Sequence, residues 1–162
     1  FASDFIGRPC GQQSPYSVTA LTDAELCIFS RSTFDSFARQ HPELDHKLLR
    51  RTLTELDRAH EWMLLLGKKT ATERIATLLL EMSARLGETG CSADKSALDR
   101  FELPLGRQQM GDVLGLTIET VSRQLSLLKA YGVINLPDRR TVAIQDRTRL
   151  QDLSAGPPTS TK

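Results

Sequence analysis

The chain has 162 residues, with 21 Lys and Arg against 20 Asp and Glu, and 40% hydrophobic residues. That length supports one domain or two small ones with a real core, and the near-cancelling charge excludes a bulk polycation that binds nucleic acid by net charge alone. No apolar run approaches membrane-spanning length, so no membrane is expected, and three cysteines in unpatterned positions fit a reducing cytoplasm better than a disulfide framework.

Residues 1–29 read as strands and turns. Residues 4–8 form a short apolar run, and residues 9–15 (PCGQQSP) are turn material. Residues 16–20 and 25–29 alternate as half-buried strands, which places Cys27 inward beside Leu26 and Ile28 as a small buried hydrophobe. Residues 32–40 read as a short helix capped by Ser32 or Thr33, with Phe34 and Phe37 inward. Pro42 opens a long helix to about residue 67. Along it Leu49, Thr52, Leu56, Ala59, Met63 and Leu66 step by three and four, the seam of a two-stranded coiled coil. A helix packed on its own domain explains one such stripe. The further apolar residues (Leu44, Leu48, Leu53, Trp62, Leu64, Leu65) favour dimerisation.

Residues 67–69 (GKK) read as a hinge. Thr70 and Glu73 then form a capping box that starts a helix through residue 86, with Ile75, Leu78, Leu79 and Met82 inward. Residues 87–99 are a polar loop. Residues 108–114 form the next helix, with Met110, Val113 and Leu114 on its apolar face. Gly115 breaks it, because glycine alone takes positive φ without strain. Thr117 caps a second helix that buries Ile118, Val121, Leu125 and Leu128, leaves Glu119, Ser122, Arg123 and Lys129 outward, and ends at Gly132.

Two helices joined by a tight glycine turn make a helix-turn-helix. The outward residues suit the major groove. Arg123 can give two N–H bonds to guanine, Glu119 can accept from a cytosine or adenine amino group, Ser122 suits a thymine, and Ile118 can meet a thymine methyl. The plainer reading pairs Glu119 with Arg123 as an exposed ion pair worth only about 0.3–0.5 kcal/mol. Residues 133–144 (VINLPDRRTVAI) read as a hairpin turning at residues 137–140. It makes the motif a winged helix and offers Arg139 and Arg140 to phosphate, with Arg107, Thr117 and Thr120 as further phosphate contacts. From residue 104 to 149 seven basic side chains face four acids, so the positive excess sits with the motif. Residues 147–153 suggest a last short helix, and residues 155–162 a disordered tail.

The run LGLTIETVSRQLSLLKAYGVI resembles the DNA-reading segment of the Crp/Fnr transcription regulators, and Glu119-x-x-Ser122-Arg123 is the pattern of the Fnr branch. Two further segments, FIGRP…YSVTALTDAELCIF and HPELDHKLLRRTLTELDRAHEWMLLLGKKTATERIA, match in order and spacing. The resemblance implies an α+β chain: residues 1–41 the closing part of a sensory β-roll (jelly roll), 42–67 the dimerisation helix, 68–153 the winged helix-turn-helix domain and 154–162 the tail. It implies a homodimer on double-stranded DNA at an inverted repeat of TTGA-type half-sites, with RNA polymerase as a partner.

Members that bind cyclic AMP hold it with a glutamate and an arginine. The matching places here are Arg8-Pro9 and Tyr16-Ser17, so cyclic AMP is not expected. Cys27 falls where oxygen-sensing members place the fourth ligand of a [4Fe–4S] cluster. The other three lie in an N-terminal segment that this chain lacks, so no cluster is expected in the chain alone. The sequence thus reads as an N-terminally incomplete regulator, responding in its intact form to oxygen or redox state or acting as a cofactor-free Fnr/FixK-type relay. The alternative is a truncated dimerising module without regulatory activity. An enzyme is the poorest reading, because His41, His46 and His60 lie on or beside one helix with no nucleophile–base pair.

Overall fold

The computed structural model describes residues 17–21, 23–88 and 99–156. The expectations for residues 1–16 (the apolar run, the turn at residues 9–15 and the Arg8 and Tyr16 places), for residues 89–98 of the polar loop and for the tail beyond residue 156 lie outside them. The described chain contains helices α1 (Arg31–Gln40), α2 (Glu43–Lys68) and α3 (Ala71–Glu88), strand β1 (Arg100–Glu102) and helices α4 (Arg107–Leu114) and α5 (Ile118–Ala130). Strands β2 (Ile134–Asn135) and β3 (Thr141–Ile144) and helix α6 (Arg147–Ala155) follow. It divides into two compact units, 1–63 and 64–162.

In the first unit the expected strands do not form. Residues 17–20 and 25–29 carry no strand, and Cys27 is exposed, not inward. Leu26, Ile28 and Phe29 are exposed as well. Alternating polarity makes a strand only where a neighbouring strand takes up its N–H and C=O groups. Among the described residues nothing pairs with these stretches. Helix α1 is capped by Ser30 and not by Ser32 or Thr33, since the Ser30 hydroxyl accepts from the Thr33 N–H at 3.1 Å. Phe37 is 52% exposed, against the inward expectation. Its ring lies against His41 with centroids 4.1 Å apart.

Helix α2 runs unbroken through Gly67 and Lys68, so the break before α3 is Lys69–Thr70, shorter than the three-residue hinge read from the sequence. Leu49, Leu53, Leu56, Met63 and Leu64 stand exposed along it.

The second unit has one core. Ile75, Leu78, Leu79 and Met82 of α3 are buried, as are Met110 and Leu114 of α4 and Val121, Leu125 and Leu128 of α5. Val133, Ile134, Val142, Ile144 and Leu150 complete it. Helix α3 packs against α5, α6 and β1. Fully burying one such aliphatic side chain contributes about 1.5–3 kcal/mol, so this core holds the unit together.

The sheet is antiparallel in the order β1-β3-β2. Strand β1, which the sequence left unmarked, pairs Phe101 with Val142. Three residues carry too little pattern to be read alone, and only the partner β3 makes them a strand. The final helix reaches Ala155, so Ser154 and Ala155 belong to it and not to a disordered tail.

Candidate nucleic-acid interface

Helices α4 and α5 meet at a turn whose geometry is set by two glycines. Gly115 is left-handed, with φ 63° and ψ 41°, and its N–H donates to the Gly111 carbonyl. A side chain there would strain the backbone. Gly111 works differently: a Cβ on it would stand 2.6 Å from the Leu116 carbonyl oxygen. The Leu116 N–H also donates to the Gly111 carbonyl at 2.9 Å. The turn therefore folds back onto α4 at the one position without a side chain.

Thr117 caps α5. Its hydroxyl oxygen accepts from the Thr120 N–H at 3.2 Å and lies 3.1 Å from the Thr120 hydroxyl. At the other end the Val133 N–H donates to the Leu128 carbonyl and the Gly132 N–H to the Lys129 carbonyl, each at 3.0 Å, with Gly132 at φ 70°. This is a C-terminal motif that closes orphan carbonyls. The Arg149 guanidinium sits 5.8 Å from the Tyr131 ring centroid and donates to the Tyr131 carbonyl at 3.3 Å.

With Val121, Leu125 and Leu128 turned into the core, the opposite face of α5 is open. Glu119 and Arg123 are exposed, and Ser122 is half-buried. Ile118 was expected inward on spacing, yet it is 39% exposed. It occupies the first position of the helix, where it is only partly covered. No ion pair joins Glu119 to Arg123 among the described residues. The Glu119 carboxyl is instead held below the ordinary carboxylate range, first by a backbone N–H of its own residue and then by Thr117. An anion at the positive end of a helix is favoured there. Among the described residues the Arg123 guanidinium has no hydrogen-bond or ion-pair partner.

Of the expected phosphate contacts, Thr117, Arg139 and Arg140 are exposed and Thr120 is half-buried. Arg107 is half-buried at the start of α4, and its Nη1 is buried with no partner among the described residues. The β2–β3 connection is built by Asp138. Its Oδ1 accepts from the Arg140 N–H at 2.8 Å and the Thr141 N–H at 2.7 Å, and its Oδ2 from the Thr141 hydroxyl at 2.7 Å. The carboxylate fixes the turn on which Arg139 and Arg140 stand.

Three supporting residues escaped the sequence reading. Thr72 of α3 donates to Gln124 of α5. Arg74 of α3 donates to three backbone carbonyls. Arg147 of α6 donates to buried Ser83 and to Asp99. None has a local signature, since each bond spans distant stretches or uses a backbone group.

Among the described residues no group of three His, Cys, Asp or Glu is placed to hold a metal ion, and Cys27 is a lone exposed thiol. An iron–sulfur cluster takes four thiolates. The described residues do not make that site. No helix among them is long and apolar enough to cross a membrane.

Residues 73–153 match the Crp-like helix-turn-helix domain. The chain is 48% identical over 148 residues to the transcriptional activator protein FnrL of Cereibacter sphaeroides, covering 91% of this chain and 59% of that protein. It is 39% identical over 152 residues to the nitrogen fixation regulation protein FixK of Azorhizobium caulinodans, covering 94% and 60%. The structure of FixK2 from Bradyrhizobium japonicum superimposes with a TM-score of 0.68 at 41% identity, over 78% of this chain and 60% of that one. The chain thus spans about 60% of the length of the relatives it matches. With residues 73–153, half of the chain, matching that domain, the chain belongs to the Crp/Fnr family of transcription regulators.

Proposed function

We propose that the chain is the DNA-reading and dimerising portion of a cytoplasmic Crp/Fnr-type transcriptional activator. It binds an inverted repeat of TTGA-type half-sites as a homodimer and acts with RNA polymerase. The observation that carries this reading is the open face of α5, where Arg123 and Glu119 are exposed side by side and do not pair with each other. With no bond between them, both charged groups are available to base edges. Arg123 reads guanine, Glu119 an amino group of cytosine or adenine, Ser122 a thymine and Ile118 a thymine methyl. Arg107, Thr117, Thr120, Arg139 and Arg140 hold phosphates, and the β2–β3 hairpin serves as the wing.

The exposed residues of α2 support the dimer. Leu49, Leu56, Met63 and Leu66 are 41–59% exposed, and with Thr52 and Ala59 they line one seam. Pairing two such helices would cover it and set two recognition helices about 34 Å apart, one turn of duplex. A response to oxygen or redox through a [4Fe–4S] cluster is proposed for a polypeptide that supplies three cysteine ligands besides Cys27. Without them the chain acts as a cofactor-free relay.

The test is a titration of the chain against a duplex carrying the palindrome and against the same bases scrambled, at moderate salt. Tight binding to the palindrome alone is expected. Equal affinity for both would refute the reading.

A further inference from the structure

Arg74 makes three hydrogen bonds to three backbone carbonyls, each from a different nitrogen. Nε donates to Lys69 at 2.8 Å, Nη1 to Leu114 at 2.9 Å and Nη2 to Leu66 at 2.8 Å. Two of the three acceptors have one feature in common. Leu66 lies in the last turn of α2, and Leu114 is the last residue of α4. Their carbonyls are among the groups that a helix C-terminus leaves without an internal partner. Lys69 is the first residue of the link after α2. One planar cation thus closes two helix C-termini and the link that follows α2, where the helix dipoles favour positive charge. Leu114 immediately precedes Gly115, the turn residue that sets the direction of α5. Gly115 also lies close to the same guanidinium, since a Cβ on it would be 3.6 Å from Arg74 Nη1.

We propose that Arg74 is a positioning residue for DNA recognition, locking the last turn of α2 to the turn that aims the recognition helix. This rests on the dimeric, palindrome-reading function proposed above. In such a dimer the distance and twist between the two recognition helices depend on how each α2 end is seated. A bracket of three bonds at that seat makes the dimer intolerant of half-sites set at the wrong spacing. One added base pair turns a half-site by roughly a tenth of a helical turn and moves it along the axis. A lysine cannot replace the bracket, because its single nitrogen is a point donor on a flexible stem and lacks the fork.

The experiment compares the chain with its Arg74→Lys and Arg74→Gln variants on three kinds of duplex: the palindrome, the palindrome with one base pair added or removed between half-sites, and a single half-site. Arg74→Lys is expected to lose about tenfold in affinity for the palindrome, to flatten the preference among spacings and to keep its half-site affinity. Unchanged spacing preference overturns the proposal. An equal loss on half-site and palindrome also overturns it, because that marks a residue needed only for folding.

Amide hydrogen exchange provides an arm independent of DNA. In both variants the Lys69 amide, bonded to the Leu65 carbonyl, and the Leu116 amide, bonded to Gly111, are expected to lose protection together. Loss at one site without the other overturns the bracket. If the unaltered chain failed to distinguish the palindrome from scrambled DNA, the proposed function would fall, and the exchange arm would still decide whether Arg74 couples the two sites.

Discussion

The hydroxyl of Thr72 donates to Oε1 of Gln124 at 2.7 Å, joining the first turn of α3 to the middle of α5 across 52 residues of sequence. The bond is part-buried, and it orients an amide on the helix that reads DNA. A neutral bond of this kind contributes roughly 0.5–1.5 kcal/mol, and leaving one partner unsatisfied costs more than losing both. Thr72→Val and Gln124→Leu should each lower stability to urea, and the double variant should lose less than the sum. A double-mutant cycle from equilibrium unfolding measures this, and strict additivity would show that the two side chains do not act together.

The two glycines of the turn should fail in different ways. Gly111→Ala places a methyl against a backbone oxygen 2.6 Å away. That overpacking is expected to cost about 1–3 kcal/mol and to shift the turn. Gly115→Ala meets no close backbone atom and pays the left-handed strain at φ 63°, about 1–2 kcal/mol. Both losses are read from urea midpoints. Only Gly111→Ala should also perturb the amide signals of Leu116 and Thr117 beyond the changes seen with Gly115→Ala.

Base-reading and phosphate-holding residues separate by salt dependence. Arg123→Ala should remove discrimination at one base pair, worth about 1–3 kcal/mol, while the salt dependence stays nearly the same. Arg139→Ala or Arg140→Ala should weaken binding evenly on every sequence and reduce the slope of log affinity against log salt by about one. Titrations at several salt concentrations on matched and single-mismatch duplexes separate the two. An even loss for Arg123→Ala would remove its reading role.

The Asp138 carboxyl is held below the ordinary aspartate range, chiefly by the Thr141 N–H, then by the Thr141 hydroxyl and the Arg140 N–H, with Arg100 contributing by charge. A carboxyl depressed by folding stabilises the folded state fully above its unfolded value, near 3.9, and that contribution is lost as pH falls through the lower folded value. The hairpin turn should therefore persist through mildly acidic solution and loosen only at strongly acidic pH. The Thr141 amide resonance, followed by NMR, should titrate below the usual aspartate midpoint, and Asp138→Ala should abolish that titration. A midpoint at or above the ordinary value would contradict the bonded turn.

Local chemistry was sufficient for much of the DNA-reading unit. The spacing of Val121, Leu125 and Leu128 defines a buried helix face wherever the helix is placed. Gly115 and Thr117 specify a turn and a cap through their own φ and hydroxyl, within four residues. Pro137 and Asp138 mark a turn in the same way. The alternation at residues 25–29 describes a strand only if another strand lies alongside, and none does among the described residues. The inward placement of Cys27 depended on that same missing partner. Ile118 followed the helical period but lies at the helix start, where the tertiary structure covers it only in part.

The Thr72–Gln124 bond, the reach of Arg74 to Leu114 and the pairing of β1 with β3 have no trace in any window of sequence. Each is a contact between groups that the chain brings together only after it folds. Periodicity and capping are properties of a segment, whereas a bracket or a strand pair belongs to two segments at once, and the packing of α3 against its neighbours is what selects it.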